Sequence, residues 1–115
     1  MHQNTEQVVQ RNLDSYNQRD IDGFMSSLAS TIEVFGFAQS EATMIGADQV
    51  RAFYTSLFEQ SPKLCSTILK RIVIGNKVID HEHITGRNGL AEVVELVLVY
   101  EVNEDKISKI TVIRG

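Results

Sequence analysis

From Cys65 to Arg114 the chain is written almost entirely in strand-forming residues, broken three times by turn residues. Cys65 to Ile74 and Lys77 to Thr85 flank Gly75-Asn76. Arg87-Asn88-Gly89 separates the second run from Leu90 to Val102, and Asn103-Glu104-Asp105 leads into Lys106 to Arg114. Asn-Gly readily takes the positive φ values that tight hairpins need, so this half predicts a meander of four antiparallel strands. Side chains alternate faces along a strand. Val94, Leu96, Leu98, Tyr100 and Val102 therefore make one unbroken apolar face, whereas Val93, Glu95, Val97, Val99 and Glu101 make a mixed one. The even face is expected to pack on the rest of the chain. The odd face keeps three valines, more apolar surface than a monomer usually leaves to water, and predicts a homodimer through the outer sheet face.

The first half supplies the cover. Thr5 to Gln18 reads as a helix capped by Asn4 or Thr5, with Glu6 in the first turn where the helix dipole favours an acid. Val8, Val9, Asn12, Leu13 and Tyr16 share its apolar face. Asp20 is placed to cap a second, shorter helix whose apolar residues are Ile21, Phe24, Met25 and Leu28, ending near Ala29 or Ser30. Thr31 to Phe37 reads as a strand, with Gly36 suggesting a bulge or a close approach. After a short Thr43-Met44-Ile45 segment, Ala47 to Gln60 is a third helix with Val50, Phe53, Tyr54, Leu57 and Phe58 on one stripe. Ser61-Pro62 stops it, because proline lacks a backbone donor and biases the preceding residue away from helix. The expectation is an α+β fold in a single domain spanning residues 1–115, its sheet covered on one face by helices.

Composition narrows the function classes. Apolar residues make up 43% and charged residues 23%, an ordinary globular balance. With 15 acidic against 11 basic residues and a formal charge of -4, no basic patch is available to offset phosphate repulsion, so a nucleic-acid partner is not expected. Cys65 is the single cysteine, which excludes a disulfide framework and suits a reducing compartment. The start MHQNTEQVVQRN lacks the basic flank and apolar run of a signal peptide. No run approaches the roughly 20 apolar residues needed to cross a bilayer. A cytoplasmic protein without a membrane partner is the expectation.

The order VVQRNLDSYNQRDIDGFMSSLA, a strand, GADQVRAFYTSLF, and a meander ending KISKITVIR resembles the nuclear transport factor 2-like superfamily, and within it the SnoaL-like and ketosteroid-isomerase-like branch. The markers are Tyr16-Asn17 followed by Asp20, Gly46 before the third helix, Phe53-Tyr54, Thr85-Gly86 and Lys106-Ile107. The resemblance implies a cone-like α+β barrel in which three N-terminal helices pack on a strongly curved, mostly antiparallel sheet around a pocket put to many uses. Isomerases of that family use an aspartate base, with an oxyanion hole made of a helix-one tyrosine and a protonated aspartic acid. The matching positions here are Asn12 for the tyrosine, Gly36 or a neighbour for the base, and Leu98 or a neighbour for the second acid. None of the three groups is retained, so replacement chemistry is needed.

Four ionisable residues in a row, Asp80-His81-Glu82-His83, are the candidates. Alternation puts the two histidines on one face and the two acids on the other. Loose alignment of Lys77 to Gly86 with the family places His81 and His83 toward the pocket, where an imidazole suits acid–base catalysis near neutral pH. A one-residue shift reverses the assignment. It would bring in Asp80 and Glu82, two neighbouring carboxylates that share a proton at elevated pKa. Zinc is not expected: two histidines need a third protein ligand, and His2, Glu33 or Cys65 would have to lie beside them. Cys65 is expected to pack as a small apolar residue. The expected ligand pocket is lined by Asn12, Tyr16, Phe24 and Phe35 together with Phe53, Tyr54, Leu98 and Tyr100, with the Asn12 amide pairing to His81, His83 or a ligand carbonyl. Two functions fit: a cofactor-free isomerase- or cyclase-type enzyme moving a proton on a small apolar carbonyl compound, or a non-catalytic ligand-binding or dimerisation module. A pocket filled by Phe35, Phe53 and Tyr100 would favour the second.

Overall fold

The computed structural model describes residues 4–115; His2 lies outside the described residues. Helix α1 spans Thr5–Asn17. Asn4 caps it by accepting from the Gln7 backbone amide at 2.8 Å, while the Gln7 side chain accepts from the Asn4 amide at 3.1 Å, a reciprocal box that satisfies two free donors. Helix α2 is a short Ile21–Ser26 piece capped by Asp20, whose carboxylate accepts from the Gly23 amide. Strand β1 follows at Leu28–Gly36, then β2 at Met44–Ile45 and α3 at Ala47–Gln60. The meander consists of β3 at Cys65–Ile74, β4 at Lys77–Thr85, β5 at Val94–Asn103 and β6 at Lys106–Arg114.

These strands form one six-stranded sheet in the order β2-β1-β6-β5-β4-β3. Every pairing is antiparallel except β1 with β6. The three helices lie across one face, and Val8, Val9, Val50 and Leu57 from α1 and α3 meet Val78, Tyr100, Val102, Ile107 and Ile110 from the sheet in a single core. The even face of β5 is the inner one, with Leu96, Tyr100 and Val102 buried.

Three local expectations are corrected. The second helix stops at Ser26 instead of near Ala29 or Ser30, because Leu28 enters the sheet opposite Ile107 and the Ile107 amide donates to Ser27 O at 2.8 Å. Gly36 is the close approach of the two alternatives and not the bulge: a Cβ there would lie 3.1 Å from Gln39 Cγ, and the register irregularity of β1 falls between Leu28 and Glu33. Strand β5 begins at Val94 instead of Leu90, and Arg87–Gly89 is a short 3-10 turn in place of a tight hairpin. Asn88 does take the left-handed conformation at φ 54°, and its amide donates to Ser61 Oγ at 2.8 Å, which ties the link to the end of α3.

Gly86 sets the direction of that link. Its φ is +75°, and a Cβ there would lie 2.3 Å from the Lys63 carbonyl oxygen, so only glycine lets the chain leave β4 against the α3–β3 loop.

Candidate functional site

The central question posed by Asp80-His81-Glu82-His83 is answered by the register of β4. Val78, Asp80, Glu82 and Ile84 are all buried, and they stand opposite Tyr100, Leu98, Leu96 and Val94 on the inner face of β5. The two acids therefore point inward, and the expectation that His81 and His83 face the pocket is corrected. Residues directly opposite in a ladder share a face. Once the even residues of β5 face the helices, the even residues of β4 must do so too.

Asp80 is fully buried and held by Arg71 of β3 in a bidentate pair, Nε to Oδ1 at 2.7 Å and an η-nitrogen to Oδ2 at 2.9 Å. The same guanidinium donates to Gln10 Oε1 at 2.7 Å, and Glu6 of α1 lies 3.6 Å away. The Asp80 hydrogen bonds and charge push the Arg71 pKa up against the opposing effect of burial. Both lone-pair sets of Asp80 are thus committed to a fixed fork, and its role is structural.

Glu82 is different. Its Oε1 accepts from Ser66 Oγ at 2.5 Å, while Oε2 is buried and has no hydrogen-bond partner. Ser66 is itself clamped to α1, because Asn17 Oδ1 accepts from the Ser66 amide at 2.7 Å and Asn17 Nδ2 donates to the Ser66 carbonyl at 3.0 Å. Burial raises the Glu82 pKa from 4.5 to about 7; the Ser66 hydrogen bond, Arg71 and the nearby Tyr100 hydroxyl oppose the rise, and the neighbouring Asp80 charge adds to it. A carboxyl that exchanges its proton near neutrality, with one oxygen fixed and the other free, is equipped for proton transfer.

Glu82 faces a cavity of about 590 Å³. Asn12 and Tyr16 of α1 and Phe24 of α2 line it, as do Phe53 and Tyr54 of α3 and Leu98 and Tyr100 of β5. Phe35 of β1 borders it, but its expected place in the pocket is corrected, because pairing with Thr111 turns its ring to the outer face, where Lys109 Nζ lies 4.8 Å from the ring centre. The aromatic side is a packed cluster, with Phe24 and Tyr54 ring centroids 4.5 Å apart and Phe58 edge-on to Tyr16 at 5.6 Å. The cavity is therefore not filled by Phe35, Phe53 and Tyr100, and its size lies within the usual range for small-molecule sites. Burial raises the pKa of Tyr16, Tyr54 and Tyr100, keeping all three hydroxyls protonated as potential donors. The Asn12 amide does not pair with either histidine. Its Nδ2 donates to Phe24 O at 3.2 Å and Ser27 Oγ at 2.9 Å, which leaves its carbonyl oxygen as the group it can offer inward.

Three of the other lining residues are charged: Glu82, which the sequence brings to the pocket only in the reversed register of β4, and Arg87 and Arg114, to which the sequence does not point. The signal for Glu82 was its even parity with Val78 and Ile84. For Arg87 and Arg114 no local signal exists, since only the sheet order brings the end of β4 and the end of β6 to one rim.

The histidines stand on the outer face with Glu95. His81 Nε2 lies 2.7 Å and His83 Nε2 3.6 Å from the same Glu95 oxygen, and the hydrogen bond to His81 holds the Glu95 pKa below its ordinary value. The donor atoms of the three lie within 4.8 Å of one another, a grouping that this carboxylate–imidazole pairing accounts for. Glu33 sits on β1, separated from β4 by two strands, and Cys65 is exposed, against the expectation that it packs inside. Among the described residues no helix is long and apolar enough to cross a membrane.

Comparison with known proteins places this geometry in a family. A model of the SnoaL-like domain matches residues 9–110. Among solved structures, a cystatin-fold protein from Novosphingobium aromaticivorans is 22% identical with a TM-score of 0.88, covering 97% of this chain and 99% of its own. A candidate ketosteroid isomerase from Kribbella flavida is 20% identical with a TM-score of 0.79, covering 96% and 77%. A candidate SnoaL-like polyketide cyclase from Jannaschia is 19% identical with a TM-score of 0.77, covering 94% and 83%. No curated protein matches the chain. At these identities the solved structures speak to the fold alone, which is the cone of three helices on a curved sheet. With the family model spanning nearly its whole length, the chain belongs to the SnoaL-like family.

Proposed function

We propose that this protein binds a small, largely apolar carbonyl compound in the cone and moves a proton on it, with Glu82 as the acid–base group. The observation that carries the reading is the Glu82 carboxyl: buried, pinned through one oxygen by Ser66, unpartnered at the other, and facing an apolar cavity. In the ionised form Oε2 removes a proton from the carbon beside the carbonyl, whose electron pair moves to form the enolate. Protonated Glu82 then returns that proton to the same or a conjugated carbon, so no atom is gained or lost. The Tyr16 hydroxyl, kept protonated by burial, donates to the enolate oxygen. The Asn12 position cannot serve as that donor, since both its amide protons are engaged.

Solvent deuterium exchange into the methyl group of 2-acetonaphthone, followed by proton NMR, tests this. The protein should accelerate exchange with a rate that climbs as Glu82 ionises near neutral pH, and Glu82→Gln should abolish the acceleration. Exchange by Glu82→Gln as fast as by the wild type would refute the assignment.

A further inference from the structure

Arg87 and Arg114 both line the cavity from its rim. They arrive from separate elements. Arg87 is half-buried and follows Gly86 just past the end of β4, with its backbone fixed by the left-handed glycine before it and the Asn88–Ser61 hydrogen bond after it, whereas Arg114 is exposed. Arg114 ends β6 opposite Leu96, which stands in turn opposite Glu82, so one rung of the sheet runs from the buried acid to the rim cation. Neighbouring strands lie about 4.8 Å apart, which separates the two backbones by roughly 10 Å.

Neither arginine forms an ion pair or side-chain hydrogen bond among the described residues. Arg51 and Arg71 are matched to Asp22 and Asp80, and Arg19 donates to two backbone carbonyls; Arg11 of α1 is also unpaired among the described residues but does not line the cavity. In a chain with more acids than bases, two unmatched guanidinium groups meeting at one opening mark a place built for an anion from outside. Their fields converge, since both act on the Tyr54 hydroxyl against the effect of its burial. Two strands away on the same rung the cavity wall carries Glu82, which when ionised repels a negative group.

We infer that the Arg87–Arg114 pair is an anion subsite, and that the ligand of this cavity is an apolar carboxylate held by its acid at the rim with its body directed toward Glu82. The inference rests on the small-molecule reading of the cavity and adds its substrate class, an apolar oxo acid. A fork-shaped guanidinium recognises a carboxylate through two parallel hydrogen bonds, so two of them at the rim would fix orientation as well as charge. The polarity of the site, cationic outside and protonatable inside, then places the carbonyl of such an acid at the general base.

Calorimetry with 2-naphthoate and its uncharged isostere 2-naphthamide tests the subsite at low ionic strength. The carboxylate should bind about tenfold more tightly than the amide. Arg87→Gln and Arg114→Gln should each lower carboxylate affinity more than amide affinity, and the double variant should bind both probes alike. Arg87→Lys should keep part of the preference, since it retains charge without the fork. Equal binding of the two probes by the wild type, or a preference that survives the double variant, overturns the anion subsite and leaves the cavity reading standing. Failure of both probes to bind overturns both. Naphthyl phosphate separates the sources of anion: a stronger preference for it than for 2-naphthoate would refute the carboxylate assignment.

Discussion

Replacing Glu82 by glutamine should stabilise the protein at neutral and alkaline pH, although it removes a buried group with a short hydrogen bond. Glutamine keeps the shape of the side chain and an oxygen for Ser66, and it loses only the charge. The sign follows from the raised pKa. Below about pH 4.5 both folded and unfolded chains hold the proton, and burial of the neutral acid carries no electrostatic penalty. As pH climbs from there to about 7 the unfolded chain releases its proton while the folded one keeps it, so stability falls. Above 7 the folded carboxylate is charged inside the cavity and the whole penalty is present. A move from 4.5 to about 7 corresponds to roughly 3 kcal/mol, or an increase in Tm of about 10 °C for a chain of 115 residues. Urea denaturation of wild type and Glu82→Gln at about pH 4.5 and about pH 8 measures it. The variant should match the wild type in acid and exceed it in base. A variant less stable than wild type at about pH 8, or a difference that does not change with pH, would refute the reasoning.

Arg71→Met should behave in the opposite way. It strands the fully buried Asp80 carboxylate without its fork, at a cost of about 3–5 kcal/mol read by urea denaturation; a loss under about 1 kcal/mol would mean that the pair is not needed. His81→Ala and His83→Ala should each leave binding of naphthyl probes unchanged, because both rings stand on the outer sheet face; a tenfold loss of affinity in either would contradict the register of β4. The outer face should mediate a homodimer, since Val97 and Val99 share it with the exposed Ile72, Ile74 and Val93; sedimentation should give twice the 12.9 kDa of one chain, and a mass near one chain at micromolar concentration would rule this out.

The meander was readable because its punctuation is local. Gly75-Asn76 and the Ser61-Pro62 stop each act within a few residues, so the bounds of α3, β3, β4 and β6 follow from the chain itself. What failed needed a second element. Leu28 looks helical beside Ile21 and Phe24, and only pairing with Ile107 draws it into the sheet. The direction of His81 and His83 was misjudged by following an alignment, when the parity of β5 was already fixed by its apolar face and β4 had to match it. Val78 and Ile84 carry the same message, since the two apolar residues that bracket Asp80 and Glu82 at even positions belong inside. The acids resisted that reading because buried carboxylates are rare without partners, and the Arg71 fork and the Ser66 hydroxyl that make them tolerable come from the neighbouring strand. Most lining residues of the cone were legible for the reverse reason: Tyr16, Phe24, Phe53, Tyr54, Leu98 and Tyr100 are each a large side chain on the apolar face of its own element, whereas Phe35 stands on the outer face of β1 beside Lys109.

The chemistry proposed for the cavity depends on Glu82 exchanging its proton near neutrality. Carbon-13 NMR of protein labelled at the glutamate side-chain carboxyl, with Glu82→Gln identifying the resonance, measures that proton directly. The account predicts a Glu82 titration centred at about pH 7. A resonance that titrates close to 4.5, the ordinary value for a solvated glutamate, would contradict it.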